Sequence, residues 1–253
     1  MEKDVTKIRI LSDLHLEFGP IQITELPDDK DTVLILAGDI HTGMRAYDFV
    51  MEMCERFYQV IYVLGNHEFY GHTPPHIIKN WEHIAEQHIN LYVPENGFVE
   101  IDGVVFAGGT LWTDCNNDDW FTKQKIKKAM TDFRIIKNFG IDMAVQAHIR
   151  TKWYLDELLK RADPLKKKVI ITHHLPIEQC ITEQWKNNPI NPAFACTDMG
   201  EVVSKNNIDL WIYGHTHQPN DFIHANTRFL CNPRGYHGFE FTDKYNDAKV
   251  VEI

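Results

Sequence analysis

Three short, mostly apolar runs, at 8–11 (with Arg9), 33–37 and 60–64 (with Tyr62), each stop at a polar motif. Runs this short and this rich in Val, Ile and Leu read as buried strands, stopped by turn residues. Between them, 45–58 and 75–88 have helical length and polarity, and Thr73-Pro74-Pro75 supplies a helix start. Strands alternating with helices specify βαβ units and parallel pairing. The expected class is α/β.

Further along, 98–101 and 104–109 flank Asp102-Gly103, a hairpin signal. A long amphipathic helix is predicted at 142–161, and strands at 169–172, 210–213, 222–225 and 228–231, with 249–253 closing a sheet edge. The second half should therefore be richer in hairpins than the first. Residues 112–140 follow neither period and read as an insertion or lid above the strand ends. With no repeat, low-complexity tract or linker, one domain over 1–253 is expected.

Composition removes several functions. A formal net charge of −10 opposes a surface that grips a nucleic-acid backbone, so nucleic acid is not an expected partner. The five cysteines form no CxxC pair, which leaves neither a disulfide framework nor a thiolate zinc site. The first six residues do not read as a secretory leader, and no apolar stretch reaches membrane-spanning length. A cytoplasmic protein without membrane contact or an obligate protein partner is the expectation.

The chemistry lies in five motifs, each after an apolar strand: Asp13-Leu14-His15, Gly38-Asp39, Gly65-Asn66-His67-Glu68, Thr172-His173-His174 and Gly214-His215-Thr216-His217. In an extended backbone, residues i and i+2 point the same way, so Asp13 with His15, and His215 with His217, are expected to share a target. Sites in open α/β sheets collect beyond the carboxyl ends of the strands. A lone Asp after Gly is usually a turn residue, and a lone His a satisfied loop histidine. Five in order point to one shared metal site. The other histidines, among them His41 and His148, read as surface or loop residues.

The ordered set DxH, GD, GNH(D/E), H and GHxH resembles the signature of the calcineurin-like metallophosphoesterases. SDLHLEF, LILAGDI and Asn232-Pro233-Arg234-Gly235-Tyr236 are similar to their compact bacterial or phage-type branch. The resemblance implies two facing mixed β-sheets flanked by helices, an α/β/β/α sandwich. It implies one metal held by Asp13, His15, Asp39 and His217, and a second held by Asp39, Asn66, His173 and His215. It also implies His67 as the catalytic group beside the leaving oxygen, with Asp39 and Asn66 in the same centre. His173, next to the strand's Thr172, is preferred as ligand over His174. His174, Glu68 and Arg234 are assigned to supporting the ligands or touching substrate.

Manganese is the first expectation for the two divalent ions, with iron or zinc as alternatives, because an N/O donor set does not choose among them. Two such ions, two aspartates and a bridging hydroxide leave about one excess positive charge, which suits a phosphate ester despite the acidic surface. The expected function is hydrolysis of small phosphomonoesters or phosphodiesters, nucleotides included, by that hydroxide. A nuclease of the same family, or a non-catalytic protein-binding scaffold, are the alternatives. Trp112, Trp120, Phe121 and Phe133 are placed either in contact with a nucleobase or packing the 112–140 segment onto the body.

Overall fold

The computed structural model describes residues 5–240 and 244–253, so the reading of the N-terminal residues as lacking a leader falls largely on 1–4, outside the described residues. β1 (Lys7–Leu11), β2 (Thr32–Ala37), β3 (Gln59–Val63) and β4 (Leu91–Tyr92) pair in parallel. β11 (Val250–Glu252) runs antiparallel along β1 and closes that edge, giving the order β11-β1-β2-β3-β4. The second sheet has the order β5-β6-β7-β8-β10-β9. Its strands are β5 (Gly97–Ile101), β6 (Val104–Gly109), β7 (Lys168–Thr172), β8 (Leu210–Tyr213), β9 (Asn220–His224) and β10 (Thr227–Cys231).

Side-chain parity explains how the sheets stack. Ile8, Ile10, Val33, Ile35, Ile61 and Val63 point inward and pack on Phe106, Val169, Ile171, Ile212 and Leu230 of the facing sheet. Their neighbours Leu34, Leu36, Val60 and Tyr62 point outward, under Val50 and Met53 of α1 (Tyr47–Arg56) and Ile77 and Trp81 of α2 (Pro74–Gln87). On the far side, Ile170, Trp211 and Phe229 meet Leu155 and Leu159 of α6 (Ile141–Arg161) and Val202 and Val203 of α7 (Gly200–Lys205). Strands with apolar residues on both faces are thus strands between two apolar layers. The layering is the expected α/β/β/α sandwich, in a single domain.

One expectation is refined and one corrected. The second sheet carries the hairpins β5–β6 and β9–β10 and the first has none, but the hairpins stand only at its edges: β6, β7, β8 and β10 are parallel. Residues 112–140 are largely helical rather than patternless, with α3 (Cys115–Asp118) a single turn at left-handed φ, followed by α4 (Trp120–Ala129) and α5 (Asp132–Ile135). Trp112 is buried against Phe69 and Phe139, and Phe133 stacks on Phe139, whereas Trp120 and Phe121 are exposed. The segment hid its period because its helices are short and begin at side-chain caps, Asp114 on Asn117 and Asp119 on Thr122.

Candidate metal centre

The parallel strands of both sheets end along one edge of the molecule. β1, β2 and β3 deliver Asp13, Asp39 and Asn66, while β7 and β8 deliver His173 and His215. The edges are tied together where Ser12 bridges Pro233 and the backbone N–H groups of Arg234 and Gly235 donate to Ser12 and Asp13. Asp13, His15, Asp39, His215 and His217 all sit at positive φ, between 45° and 67°. The extended-chain reason for pairing i with i+2 is therefore not the one the fold uses. Left-handed turns aim these side chains inward, at a strain of about 1–3 kcal/mol for each non-glycine residue.

Glycine is required beside them. A Cβ on Gly65 would lie 2.2 Å from Asp39 Oδ1 and 2.8 Å from the His173 ring. Gly38 combines φ +86° with an approach of 2.3 Å to His173 Nδ1.

The donor atoms meet as acceptor against acceptor. His15 Nδ1 is 3.1 Å from Glu17 Oε1 and His217 Nδ1 is 2.6 Å from Glu240 Oε2. Those carboxylates take the Nδ1 hydrogens, so both Nε2 atoms present lone pairs, and they face each other at 3.0 Å. His173 repeats the pattern, its Nδ1 donating to the Ala37 carbonyl at 3.0 Å. Its Nε2 faces Asn66 Oδ1 at 3.0 Å, His215 Nδ1 at 3.2 Å and Asp39 Oδ2 at 3.4 Å. Asn66 cannot turn its amide to relieve this, because Nδ2 donates to Asp132 Oδ1 at 2.8 Å. Asp13 Oδ2 and His215 Nε2 are buried without a hydrogen-bond partner.

Asp13, His15 and His217 form one group able to hold a cation, and Asp39, His173 and His215 a second. The nitrogen and oxygen donors fit a divalent ion of the manganese, iron or zinc kind, which would remove each of these conflicts. Without such an ion only protons relieve them. Burial pushes His173 down, yet Asp39 and Asp13 overcome it and hold the ring up at about 10. Asp39 is fully buried, but His173 and His67 draw its carboxyl well below the usual range.

His67 stands beside the two groups. Its backbone N–H donates to Asp39 Oδ1 at 2.8 Å, and its ring stacks on Tyr70 at 4.2 Å. Nδ1 is 2.7 Å from Glu17 Oε1, and Nε2 is 3.4 Å from the Tyr236 hydroxyl. Burial lowers its pKa, but Asp39 and Glu17 raise it further, to about 9. With Nδ1 held by Glu17, a proton added to the ring sits on Nε2, the atom it presents beside Tyr236. Glu17 serves His15 and His67 at once; burial opposes its charge, and the two imidazoles bring it down to about 2.

The remaining expected residues play other parts. Glu68 is fully buried and accepts from the backbone N–H groups of Asp39, Ile40 and Gly65 and from the Tyr62 hydroxyl, which locks the Asp39 loop. His174 packs against the His215 ring, with centroids 4.3 Å apart, and pairs through Nδ1 with the Thr110 carbonyl at 3.2 Å. Arg234 does not reach the cavity: its guanidinium donates to the carbonyls of Leu14, Gly19 and Pro20, bracing the loop that carries His15. His148 is not a surface residue but is fully buried, 2.8 Å from Asp198.

Three carboxylates escaped the sequence reading: Glu17, Asp132 and Glu240. The DxHxE spacing of Asp13, His15 and Glu17 could have flagged the first. Asp132 and Glu240 come from distant segments and carry no local signal.

A cavity of about 570 Å³ opens beside the centre. Asp39, Asn66, His67, His215 and His217 line its floor, and the 181–194 segment lines its wall. The 112–140 segment contributes Ala129, Met130 and Thr131 to it, but none of Trp112, Trp120, Phe121 and Phe133 lines it. Among the described residues no helix is long and apolar enough to cross a membrane.

Three comparisons bear on this geometry. A structure of phosphopantetheinyl hydrolase from Mycobacterium tuberculosis shares the fold, with a TM-score of 0.74, 18% identity, and cover of 91% of this chain and 90% of that one. An uncharacterized protein, L509 of Acanthamoeba polyphaga mimivirus, is 26% identical over 90% of this chain and 91% of its own length. Residues 6–219, which hold all five motifs, match the calcineurin-like phosphoesterase family model. The protein is a member of the calcineurin-like phosphoesterase family, whose hydrolysis of phosphate esters depends on divalent metals.

Proposed function

We propose that this protein hydrolyses phosphate esters at a two-metal centre. Asp13, His15, Asp39 and His217 would hold one ion, and Asp39, Asn66, His173 and His215 the other, with Asp39 shared. The observation that carries this is the pair of imidazole lone pairs facing at 3.0 Å, each fixed by a carboxylate behind it. Nothing in an apolar core or a turn calls for that arrangement, and a cation resolves it.

Bound divalent ions supply positive charge for the phosphoryl oxygens and a hydroxide nucleophile at neutral pH. The chain's own residues do the rest. Oxygen attack at phosphorus breaks the ester P–O bond, and His67 gives its Nε2 proton to the departing oxygen. Glu17 holds the opposite ring nitrogen, so the ring keeps its orientation through the transfer. Asp132 keeps Asn66 Oδ1 turned inward. Glu68 holds the Asp39 loop.

The substrate in this reading is a small phosphate ester. Phosphopantetheinyl esters join the first compounds to test, on the strength of the similarly folded hydrolase's name. A nuclease is disfavoured by the formal net charge of −10. A scaffold without chemistry has no need of a buried His67 with its partners in place.

The test is metal-free protein titrated with manganese, then iron and zinc, and assayed with bis(p-nitrophenyl) phosphate. Two ions per chain and metal-dependent turnover are expected. His67→Ala should keep the ions and lose about 10²–10⁴-fold in kcat. Fewer than one ion per chain at saturation, or no turnover with any of the metals, would refute the proposal.

A further inference from the structure

The cavity beside the centre has a chemical character that the five motifs do not explain. Among the described residues no Lys or Arg lines it, and the one carboxylate in its lining besides Asp39 is Glu240. Its wall carries Ile181, Trp185 and Phe194, interspersed with the amides of Gln184, Asn188 and Gln218. Phe194 lies against the His215 ring, with centroids 4.8 Å apart, so the apolar wall begins at the centre itself. Trp185 is half-exposed, which leaves a ring face for something not in the chain. At about 570 Å³ the space falls within the range of small-molecule pockets, about 300–1,000 Å³.

Charge narrows the occupant. A phosphomonoester acquires its second negative charge near pH ~6, and that charge is usually met by an Arg or Lys fork. No such group lines this cavity, whereas a diester carries only one charge, which the metal centre matches. A polyanion would place further phosphates against Glu240 and the uncharged wall, with no Lys or Arg to receive them. Amides and aromatic rings instead complement an uncharged group with its own amide-type donors and acceptors.

Resting on the phosphoesterase reading above, we propose that the substrate is a phosphodiester with one uncharged arm that bears amide-type groups, received by Trp185, Phe194 and the flanking Gln and Asn side chains. Nucleosides and acylated amino alcohols share that chemistry. Cleavage leaves phosphate on one fragment and a hydroxyl on the other, with the proton supplied by His67 and the oxygen by water.

The experiment compares p-nitrophenyl diesters with three arms, thymidine, N-acetylaminoethyl and methyl, alongside p-nitrophenyl phosphate and an oligothymidylate, on manganese-loaded protein. The two amide-bearing diesters should exceed the methyl diester in kcat/KM by about tenfold, the order of one aromatic stack. Whichever of the two is preferred identifies the arm. Trp185→Ala should lower that ratio about tenfold and Trp185→Phe should keep it. A thymidine methylphosphonate, which lacks the p-nitrophenolate leaving group, followed by calorimetry, should bind about tenfold more weakly to Trp185→Ala than to the parent protein.

Equal turnover of the methyl diester, a preference for the monoester or the oligonucleotide, or a ratio indifferent to Trp185 overturns the proposal and leaves the phosphoesterase reading intact. If no ester is cleaved with any metal, the phosphoesterase reading fails, and the calorimetric comparison still decides what the cavity binds.

Discussion

Replacing Glu68 with Gln keeps its size and one oxygen but turns an acceptor into a donor at the point where the centre is anchored. Oε2 accepts from Asp39 N at 3.0 Å and Gly65 N at 2.6 Å, and Oε1 accepts from Ile40 N and the Tyr62 hydroxyl, each at 2.7 Å. An amide nitrogen in either position faces two donors it cannot accept from. Losing two bonds to a carboxylate costs ~3–6 kcal/mol. Burial and the Asp39 carboxylate push Glu68 up to about 7, so removing its charge returns part of that cost. A net loss of ~2–4 kcal/mol is expected, a large share of a typical ~5–15 kcal/mol stability. Urea unfolding of the metal-free variant measures it, and the thermal midpoint should fall by roughly 5–15 °C. Manganese affinity should fall with it, since the loosened loop carries Asp39. A variant within about 0.5 kcal/mol of the parent, the scale of an ordinary surface substitution, would show that Glu68 does not anchor the loop.

Asp132→Ala removes the acceptor that holds Asn66 Nδ2 and frees the amide to turn, and should weaken manganese binding about 10–100-fold by calorimetry; an unchanged affinity would remove Asp132 from the centre's support. Gly65→Ala drives a Cβ into Asp39 and the His173 ring, so metal content by elemental analysis should fall below one ion per chain while far-ultraviolet circular dichroism stays native. Full occupancy with two ions would count against the close approach. Away from the centre, burial opposes the Asp198 charge, but His148 and Lys152 hold its carboxyl down at about 2 against an ordinary value of 3.8. A carboxylate lowered on folding stabilises fully above its unfolded value and loses that contribution as pH falls through the folded one. The urea midpoint of Asp198→Asn should therefore trail the parent near neutrality, by about 1 kcal/mol after solvent screening, and the gap should close as pH falls from 3.8 through about 2. A gap that persists in acid would assign the effect to something other than the charge.

The strands and their polar ends were legible because a strand covered on both faces is mostly apolar, so apolarity stops where the packing between layers gives way to the cluster of polar side chains. Leu36-Ala37 before Gly38-Asp39 and Val63-Leu64 before Gly65-Asn66 mark that change in the sequence as in the fold, although Asp39 and Asn66 are themselves buried. What orients the ligands was not legible, because it is assembled from distant segments. Asp132 lies 66 positions from Asn66 and Glu240 23 from His217, and neither sits in a period or a motif. The cavity wall at 181–194 is made of single turns with no repeat to read. Nor did spacing reveal that Asp13, His15, His215 and His217 turn inward through positive φ, since residues i and i+2 converge by either route. The consequence is mechanical. β1, β2 and β3 supply the proposed ligands of one sheet and β7 and β8 those of the other, so an ion held by both Asp39 and His173 would span the seam between them. The conflict between facing lone pairs would be relieved, without added protons, when both edges close on the same charge. Metal binding and the docking of the two sheets at this edge are, on this reading, one equilibrium.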